Sequence, residues 1–446
     1  MPVTVRFAPS PTGFLHVGNI RAALVNWLFA RKTGGRFLLR IDDTDRERSK
    51  AEFIEAIRRD LDWLALGRDG EIRQSERFAL YDAALQSLKA AGRLYPCYET
   101  PEELALKRRI QRARGLPPVY DRAALSLSDA EKARFKAEGR RPHWRFLLDR
   151  SRRVVFEDLI RGPQEIDPAS LSDPVLRRAD GSYLYMLPST VDDIDLGISH
   201  VVRGEDHVTN SAEQIQIFEA LGAGVPKFAH YPLLRADDGG KLSKRAGSLS
   251  VAALRDEAGI EPMALASFLA RLGTSDPIEV FADYAPLIES FDFAKFSRAG
   301  ALFDLAELAR LNQKLLHMLT FEAVKDREAL AGEDETFWLA VRGNIARIAD
   351  CAVWRDILRR PLAPVIADED REFLKLSAKI FPEHIDNNTW TDWTRKLKQQ
   401  GGRSGRALYL PLRLALTGRA DGPNMGALLP LMPRARIIGR LKGETA

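Results

Sequence analysis

At 446 residues the chain is long enough for about two or three domains and for a core that closes without disulfides or metal staples. Hydrophobic residues at 45% and charged residues at 29% are those of a folded protein in water, and the lack of any apolar run near the roughly 18–20 residues that cross a bilayer excludes a membrane-spanning helix. The net charge of +5 is unevenly spread: residues 107–153 hold 15 Lys/Arg against 5 Asp/Glu and residues 391–446 hold 11 against 3, so the remainder is acidic and the pattern fits either a polyanion gripped at two places or two solvated helix faces.

The opening MPVTVRFAPS has no basic stretch leading into a continuous apolar segment, so no signal peptide is expected and the chain is placed in the cytoplasm. Residues 3–7 alternate like a short strand, which Ala8-Pro9-Ser10-Pro11-Thr12-Gly13 breaks. Ile20, Ala23, Leu24, Trp27 and Leu28 then recur with helical spacing, up to Gly34-Gly35. Residues 36–41 read as a second strand, closed by the acidic turn Asp42-Asp43-Thr44-Asp45. Strand, loop, helix, strand predicts a parallel sheet with helices on its faces. Helices are expected over residues 51–66 and 76–92, after which Pro96, Pro101, Pro117 and Pro118 and the first basic zone mark an inserted domain. Sheet-like sequence returns at 183–191 and 197–202, each closing on acidic turns that contain Asp192, Asp193, Glu205 and Asp206. Beyond Gly247 helix follows helix, most clearly over 264–272 and 305–316.

The stretch from Pro9 to Asn19 lies where the first strand hands over to the first helix, the place where ligands bind in an open parallel sheet. A helix N-terminus there offers free N–H groups to phosphate, Gly18 lets the backbone come close, and His16 can donate to a phosphoryl oxygen. Taken alone, the same residues also read as a helix entry with a surface histidine. Far downstream, Asp237-Asp238-Gly239-Gly240-Lys241-Leu242-Ser243-Lys244-Arg245 is a glycine-hinged loop with three cations in five positions, suited to closing over a triphosphate or to lying as a solvated basic turn.

Taken together and in this order, PSPTGFLHVGN, RIDDTDRERS, VDDIDLGISHVVRGEDH and KLSKR resemble the class I aminoacyl-tRNA synthetases of the glutamyl type. SRAGALFDLAELARLN is similar to that family's stem-contact segment, and LPLRLALTG to its anticodon-binding domain. The resemblance implies an α/β Rossmann-like catalytic domain with an inserted acceptor-end-binding domain, followed by an all-α stem-contact and anticodon-binding region. The expected boundaries are 1–94 and 183–250 for the halves of the catalytic domain, 95–182 for the insertion, 251–318 for the stem-contact domain and 319–446 for the anticodon-binding domain. The implied activity joins L-glutamate to tRNA(Glu), tRNA(Gln) or both, with ATP and through a glutamyl-adenylate.

By the same resemblance His16, Gly18, Asn19, Lys241 and Lys244 are the expected catalytic residues, and with Ser243 and Arg245 they bind ATP and its Mg2+. Arg6, Ser10, Asp42, Tyr185, Ser189 and Arg203 fall at the glutamate-contacting positions, as suits a ligand with two carboxylates and one ammonium group. An internal salt bridge of Arg6 or Arg203 with Asp42 or Glu205 is the structural alternative. Three positions depart from the pattern: Asn19 stands where the family signature ends in histidine, Asp42 where many relatives have glutamate, and Ser189 where some have asparagine. Some relatives hold zinc on a Cys-x-Cys pair and further ligands about 25 residues on; here Cys97-Tyr98-Glu99 lacks the second cysteine and Tyr120-Asp121-Arg122 lacks thiols and imidazoles, so no structural zinc is expected. Trp144, within Arg140-Arg141-Pro142-His143-Trp144-Arg145, and Trp390 and Trp393 are candidates either for stacking on RNA or for the core. The alternatives in function are a glutaminyl-type enzyme, an enzyme that glutamylates a base of tRNA(Asp), and a non-catalytic tRNA-binding paralogue. A monomer with no membrane partner is expected.

Overall fold

The computed structural model describes residues 2–235 and 249–446. They form two compact units, one built from the chain up to Leu254 together with Ala266–Asp304, the other from Arg255–Leu265 together with Leu305–Ala446.

In the first unit the chain runs through β1 (Thr4–Phe7), α1 (Val17–Lys32), β2 (Arg36–Ile41), α2 (Ala51–Trp63), β3 (Gly70–Arg73) and α3 (Phe78–Ala90). The three strands are parallel, with Thr4 opposite Arg36 and Leu38 opposite Gly70. All four residues of β1 are buried, because a parallel strand covered on both faces has no wet side, and Arg6 is enclosed with the rest. β3 has no counterpart in the expected elements: Gly-Glu-Ile-Arg carries a single apolar residue and lies at the sheet edge.

Next come β4 (Leu94–Cys97), α4 (Pro101–Ala113), α5 (Asp129–Ala137), β5 (His143–Phe146), β6 (Val154–Asp158), β7 (Gly162–Ile166) and β8 (Val175–Arg177). β4, β5 and β8 make one antiparallel sheet, and both helices beside it open with capping boxes, Thr100 with Glu103 and Ser128 with Glu131. The hairpin β6–β7 lies inside the stretch assigned from sequence to the insertion, yet it joins a different sheet.

That sheet is completed by the following elements, α6 (Met186–Asp195), β9 (His200–Gly204), α7 (Val208–Ala220) and β10 (Lys227–Tyr231). β10 pairs in parallel with β9 on one side and with β6 on the other, Asp158 opposite Phe228. The Ser199 N–H donates to the Thr4 carbonyl at 3.0 Å, so the strands line up as β3-β2-β1-β9-β10-β6-β7. The order reverses between β1 and β9, and a crevice opens there at the carboxyl ends of the strands.

Residues 183–191, expected as sheet, instead lead into α6. Pro188 sits in the first helical turn, where its missing N–H costs no bond, and Leu187 and Val191 pack against Tyr81 and Leu85, so tertiary packing overrides the β-propensity of the apolar run. Asp192 and Asp193 accordingly lie on a buried helix rather than in a turn. The first unit also holds β11 (Leu234–Arg235), α8 (Pro262–Arg271, shared with the second unit), α9 (Ala285–Ser290) and β12 (Ala301–Leu302), the two strands paired in parallel.

Among its described residues the second unit contains no strand. It comprises α10 (Leu305–Met318), α11 (Glu335–Val341), α12 (Cys351–Arg359), α13 (Arg371–Lys379), α14 (Thr389–Gly401), α15 (Arg406–Thr417), α16 (Met425–Leu428) and α17 (Arg434–Lys442) around a core that includes Phe337, Trp338, Trp354 and Trp393. Arg440 is fully buried, with its guanidinium held by the carbonyls of Ile357, Arg360, Leu416 and Ala446 at 2.6–2.9 Å. Of the candidate stacking residues, Trp393 is core, donating to the Ser377 carbonyl at 3.1 Å, whereas Trp390 is half-buried beside the exposed Tyr409 and Trp144 is half-buried under the Lys89 ammonium. No described helix is long and apolar enough to cross a membrane.

Candidate active site

A cleft of about 630 Å³ lies at the carboxyl ends of β1 and β9. One wall is the turn from β1 into α1. The backbone N–H of His16 donates to Asn19 Oδ1 (3.1 Å), and His16 Nδ1 accepts the Gly18 N–H (3.1 Å), a capping box that starts α1 ahead of its apolar spacing. A nitrogen that accepts carries no proton, and burial lowers the His16 pKa, so the neutral ring bears its hydrogen on Nε2. That N–H and the Asn19 Nδ2 are the donors this wall offers, since the first N–H groups of α1, on Val17, Gly18 and Asn19, are already bonded to the Leu249 carbonyl, His16 Nδ1 and the His16 carbonyl. A Cβ on Gly18 would stand 2.9 Å from His16 Cε1, so glycine is what lets the ring fold back over the helix end.

The expected phosphate ligands Lys241, Ser243, Lys244 and Arg245 lie outside the described residues. The chain that follows them is tied to the histidine turn: the Val17 N–H donates to the Leu249 carbonyl (3.2 Å) and the Val251 N–H to the Leu15 carbonyl (3.0 Å).

The opposite part of the cleft is built from buried charge. Arg6 forms a two-point ion pair with Asp193 (3.0 and 3.3 Å). Arg40, fully buried, grips Asp42 with Nε and Nη2 (2.7 and 3.1 Å) and Asp193 with Nη1 (2.8 Å). Asp192 is taken up by Gln74, Arg77 and Tyr81 (2.7–3.0 Å). Burial pushes the Asp42 carboxyl up to about 6, against the opposing pull of Arg40.

Arg203 differs. Its guanidinium donates to Tyr185 Oη (2.8 Å), Ser211 Oγ (2.8 Å), His230 Nε2 (3.3 Å) and the His207 carbonyl (3.5 Å), none of which carries a formal negative charge, and burial lowers its pKa. No carboxylate among the described residues forms an ion pair with it. The salt bridges considered from sequence therefore do not form as named: Arg6 pairs with Asp193, and Glu205 pairs with Arg161 at 2.7 Å.

The structure brings Arg6, Ser10, His16, Gly18, Asn19, Asp42, Tyr185 and Arg203 to one cleft. Ser189 is not on its wall. It is fully buried, accepting from Arg40 Nη2 (3.2 Å) and Gln214 Nε2 (3.4 Å), and so reaches the cleft only through Arg40. Arg40, Asp193, Asp206, His207 and Arg21 were not among the expected site residues, although Asp193 and Asp206 were read as parts of acidic turns; Arg21, on the buried face of α1, donates to the carbonyls of Pro232 (2.7 Å) and Leu272 (2.8 Å), an arrangement no local spacing announces.

At the positions considered for zinc, the side chains bond to one another. Tyr120 Oη lies 2.9 Å from Glu99 and 3.7 Å from Cys97 Sγ, Lys107 pairs with Glu99 at 3.0 Å, and Arg122 pairs with Asp173 at 2.8 Å. Burial pushes the Cys97 thiol up to about 12.

Residues 2–310 match the family described as tRNA synthetases class I (E and Q), catalytic domain, and the chain belongs to that family. Among its relatives are glutamate–tRNA ligases: it is 58% identical to glutamate–tRNA ligase 1 of Rhizorhabdus wittichii over the full length of both chains, and 54% identical to glutamate–tRNA ligase 1 of Maricaulis maris over 99% of each. The crystal structure of a glutamate tRNA ligase from Elizabethkingia meningosepticum in complex with its amino acid superposes with a TM-score of 0.87 at 27% identity, covering 99% of this chain and 98% of that one.

Proposed function

We propose that this cleft activates L-glutamate with ATP and passes it to the terminal adenosine of tRNA(Glu). The observation that carries the reading is Arg203, a buried cation on the cleft wall whose acceptors are all neutral, so that a ligand carboxylate completes it. Full-length kinship with glutamate–tRNA ligases supports the same substrate.

The glutamate side chain sits at Arg203 and Tyr185, its ammonium group lies toward Asp42 and Ser10, and Arg6 faces its α-carboxylate. That carboxylate attacks the α-phosphorus of ATP and pyrophosphate leaves. A ribose hydroxyl of the tRNA end then attacks the acyl carbon and AMP leaves. His16 Nε2–H and Asn19 Nδ2, at the positive end of the α1 dipole, meet the charge that develops on the phosphates, and Lys241, Ser243, Lys244 and Arg245 are assigned to the same phosphates. Mg2+ is expected to arrive on the ATP phosphates. Ser189 acts at one remove, by fixing Arg40. The basic face of α4, exposed at Arg108, Arg109 and Arg112, suits the acceptor end, and the all-α unit suits the anticodon stem and loop. tRNA(Gln) is the second candidate acceptor, and the working form is a monomer.

Arg203→Ala is expected to raise the KM for glutamate about a hundredfold, as for loss of a buried charge pair, and to erase the preference for glutamate over glutamine, with the KM for ATP nearly unchanged. An unaltered glutamate KM contradicts the assignment.

A further inference from the structure

We propose that Asp158 and His230 are positioning residues for Arg203, and that the neutral, fixed acceptor they create behind it is what makes this arginine select a carboxylate over an amide; the proposal rests on the assignment of Arg203 to the glutamate side chain.

Asp158 closes β6 and is fully buried. Its Oδ1 accepts the N–H groups of Ile160 (3.0 Å), Arg161 (2.9 Å) and His230 (3.2 Å), and its Oδ2 lies 2.5 Å from His230 Nδ1. Burial alone would push this carboxyl up, yet the bonds from His230, Arg161 and Ile160 hold it below the usual carboxylate range. An ionised carboxylate only accepts, so the imidazole proton is on Nδ1 and Nε2 presents a lone pair. That lone pair faces Ser211 Oγ at 3.0 Å and Arg203 Nε at 3.3 Å, and Ser211 Oγ in turn accepts from Arg203 Nη2 at 2.8 Å. The ring cannot swing away: Phe228 stacks on it within 10° of parallel, and Phe156 meets it edge-on.

The imidazole thus acts as a spacer. Asp158 placed directly against Arg203 would neutralise it, as Asp193 neutralises Arg6. With a neutral ring between them, the guanidinium is oriented but its charge is left for the ligand. A glutamine amide brings no charge to this place and sets N–H groups against N–H groups.

Three variants test the idea, with aminoacylation kinetics as readout. Asp158→Asn lets an amide face Nδ1 and moves the ring proton to Nε2, against Arg203. His230→Phe keeps a ring but removes the acceptor, and His230→Gln restores an acceptor near the Nε2 position. Asp158→Asn and His230→Phe are expected to raise the glutamate KM by about tenfold and to lower the preference for glutamate over glutamine by a similar factor, with kcat within about threefold and the KM values for ATP and tRNA unchanged; His230→Gln recovers most of the loss. A uniform fall in kcat without a selective change in glutamate KM, or His230→Gln no better than His230→Phe, overturns the proposal. If Arg203→Ala raises the glutamate KM while Asp158→Asn and His230→Phe do not, the positioning role falls and the assignment of Arg203 stands; if Arg203→Ala leaves it unchanged, both fall. Should Asp158→Asn fail to fold, the two His230 variants decide.

Discussion

Asp42 shows how one side chain can link binding to pH. Its two oxygens are held by Arg40, and burial still pushes its carboxyl up to about 6. Below that pH it takes a proton and loses its attraction for the substrate ammonium group, so kcat/KM for glutamate is expected to fall about tenfold per pH unit in initial rates measured below about pH 6, and the variant Asp42→Asn should lack this acid limb. Asp42 itself does not drive unfolding in this range. A carboxyl whose folded pKa lies above its unfolded value of 3.8 contributes stability that is fully present below that value and is lost as pH rises through about 6, so acid favours the fold at this residue. At this scale the sequence was informative where a motif carried the residue: Arg6, Ser10, His16, Asp42, Tyr185 and Arg203 all reach the cleft. Asp158, Asp193 and His230 were not expected at the site, because their partners lie 72 to 187 positions away and only the folded sheet brings them together.

The same division appears among the elements. The turn into α1 is governed by local chemistry, and His16, Gly18 and Asn19 are neighbours whose capping bonds span two or three residues. Gly18→Ala tests that geometry. Alanine suits a helix better than glycine, but the new Cβ displaces the His16 ring and its capping bond, so thermal stability should change little, while charging activity is expected to fall about a hundredfold, as for loss of an oxyanion donor. Full activity in that variant would show that the His16 position is not needed. Where burial rather than local pattern decides, reading from sequence failed: the run YLYMLP has the texture of a strand yet begins α6, because its apolar side chains are buried on a helix packed against α3. The β6–β7 hairpin is a second instance. It follows the prolines at 96–118 and the basic zone at 107–153 that suggest the insertion, but its pairing with β10 places Asp158 behind Arg203.

At the level of the whole molecule, the α/β sheet in the first unit and the all-helical second unit follow the broad division that hydrophobic periodicity suggested, whereas the partition of residues 255–304 between the units depends on long-range packing that no local signal carries. The uneven charge is the other global feature: residues 107–153 and 391–446 are basic on a chain that is otherwise acidic, a pattern compatible with a polyanionic partner. The most direct measurement is charging with labelled glutamate and ATP on purified tRNA(Glu), tRNA(Gln) and tRNA(Asp) in parallel. The expected result is label on the 3′ end of tRNA(Glu), with or without tRNA(Gln), in an ester that mild base releases. Label confined to tRNA(Asp), or binding of tRNA with no charging of any of the three, would contradict the function assigned to this cleft.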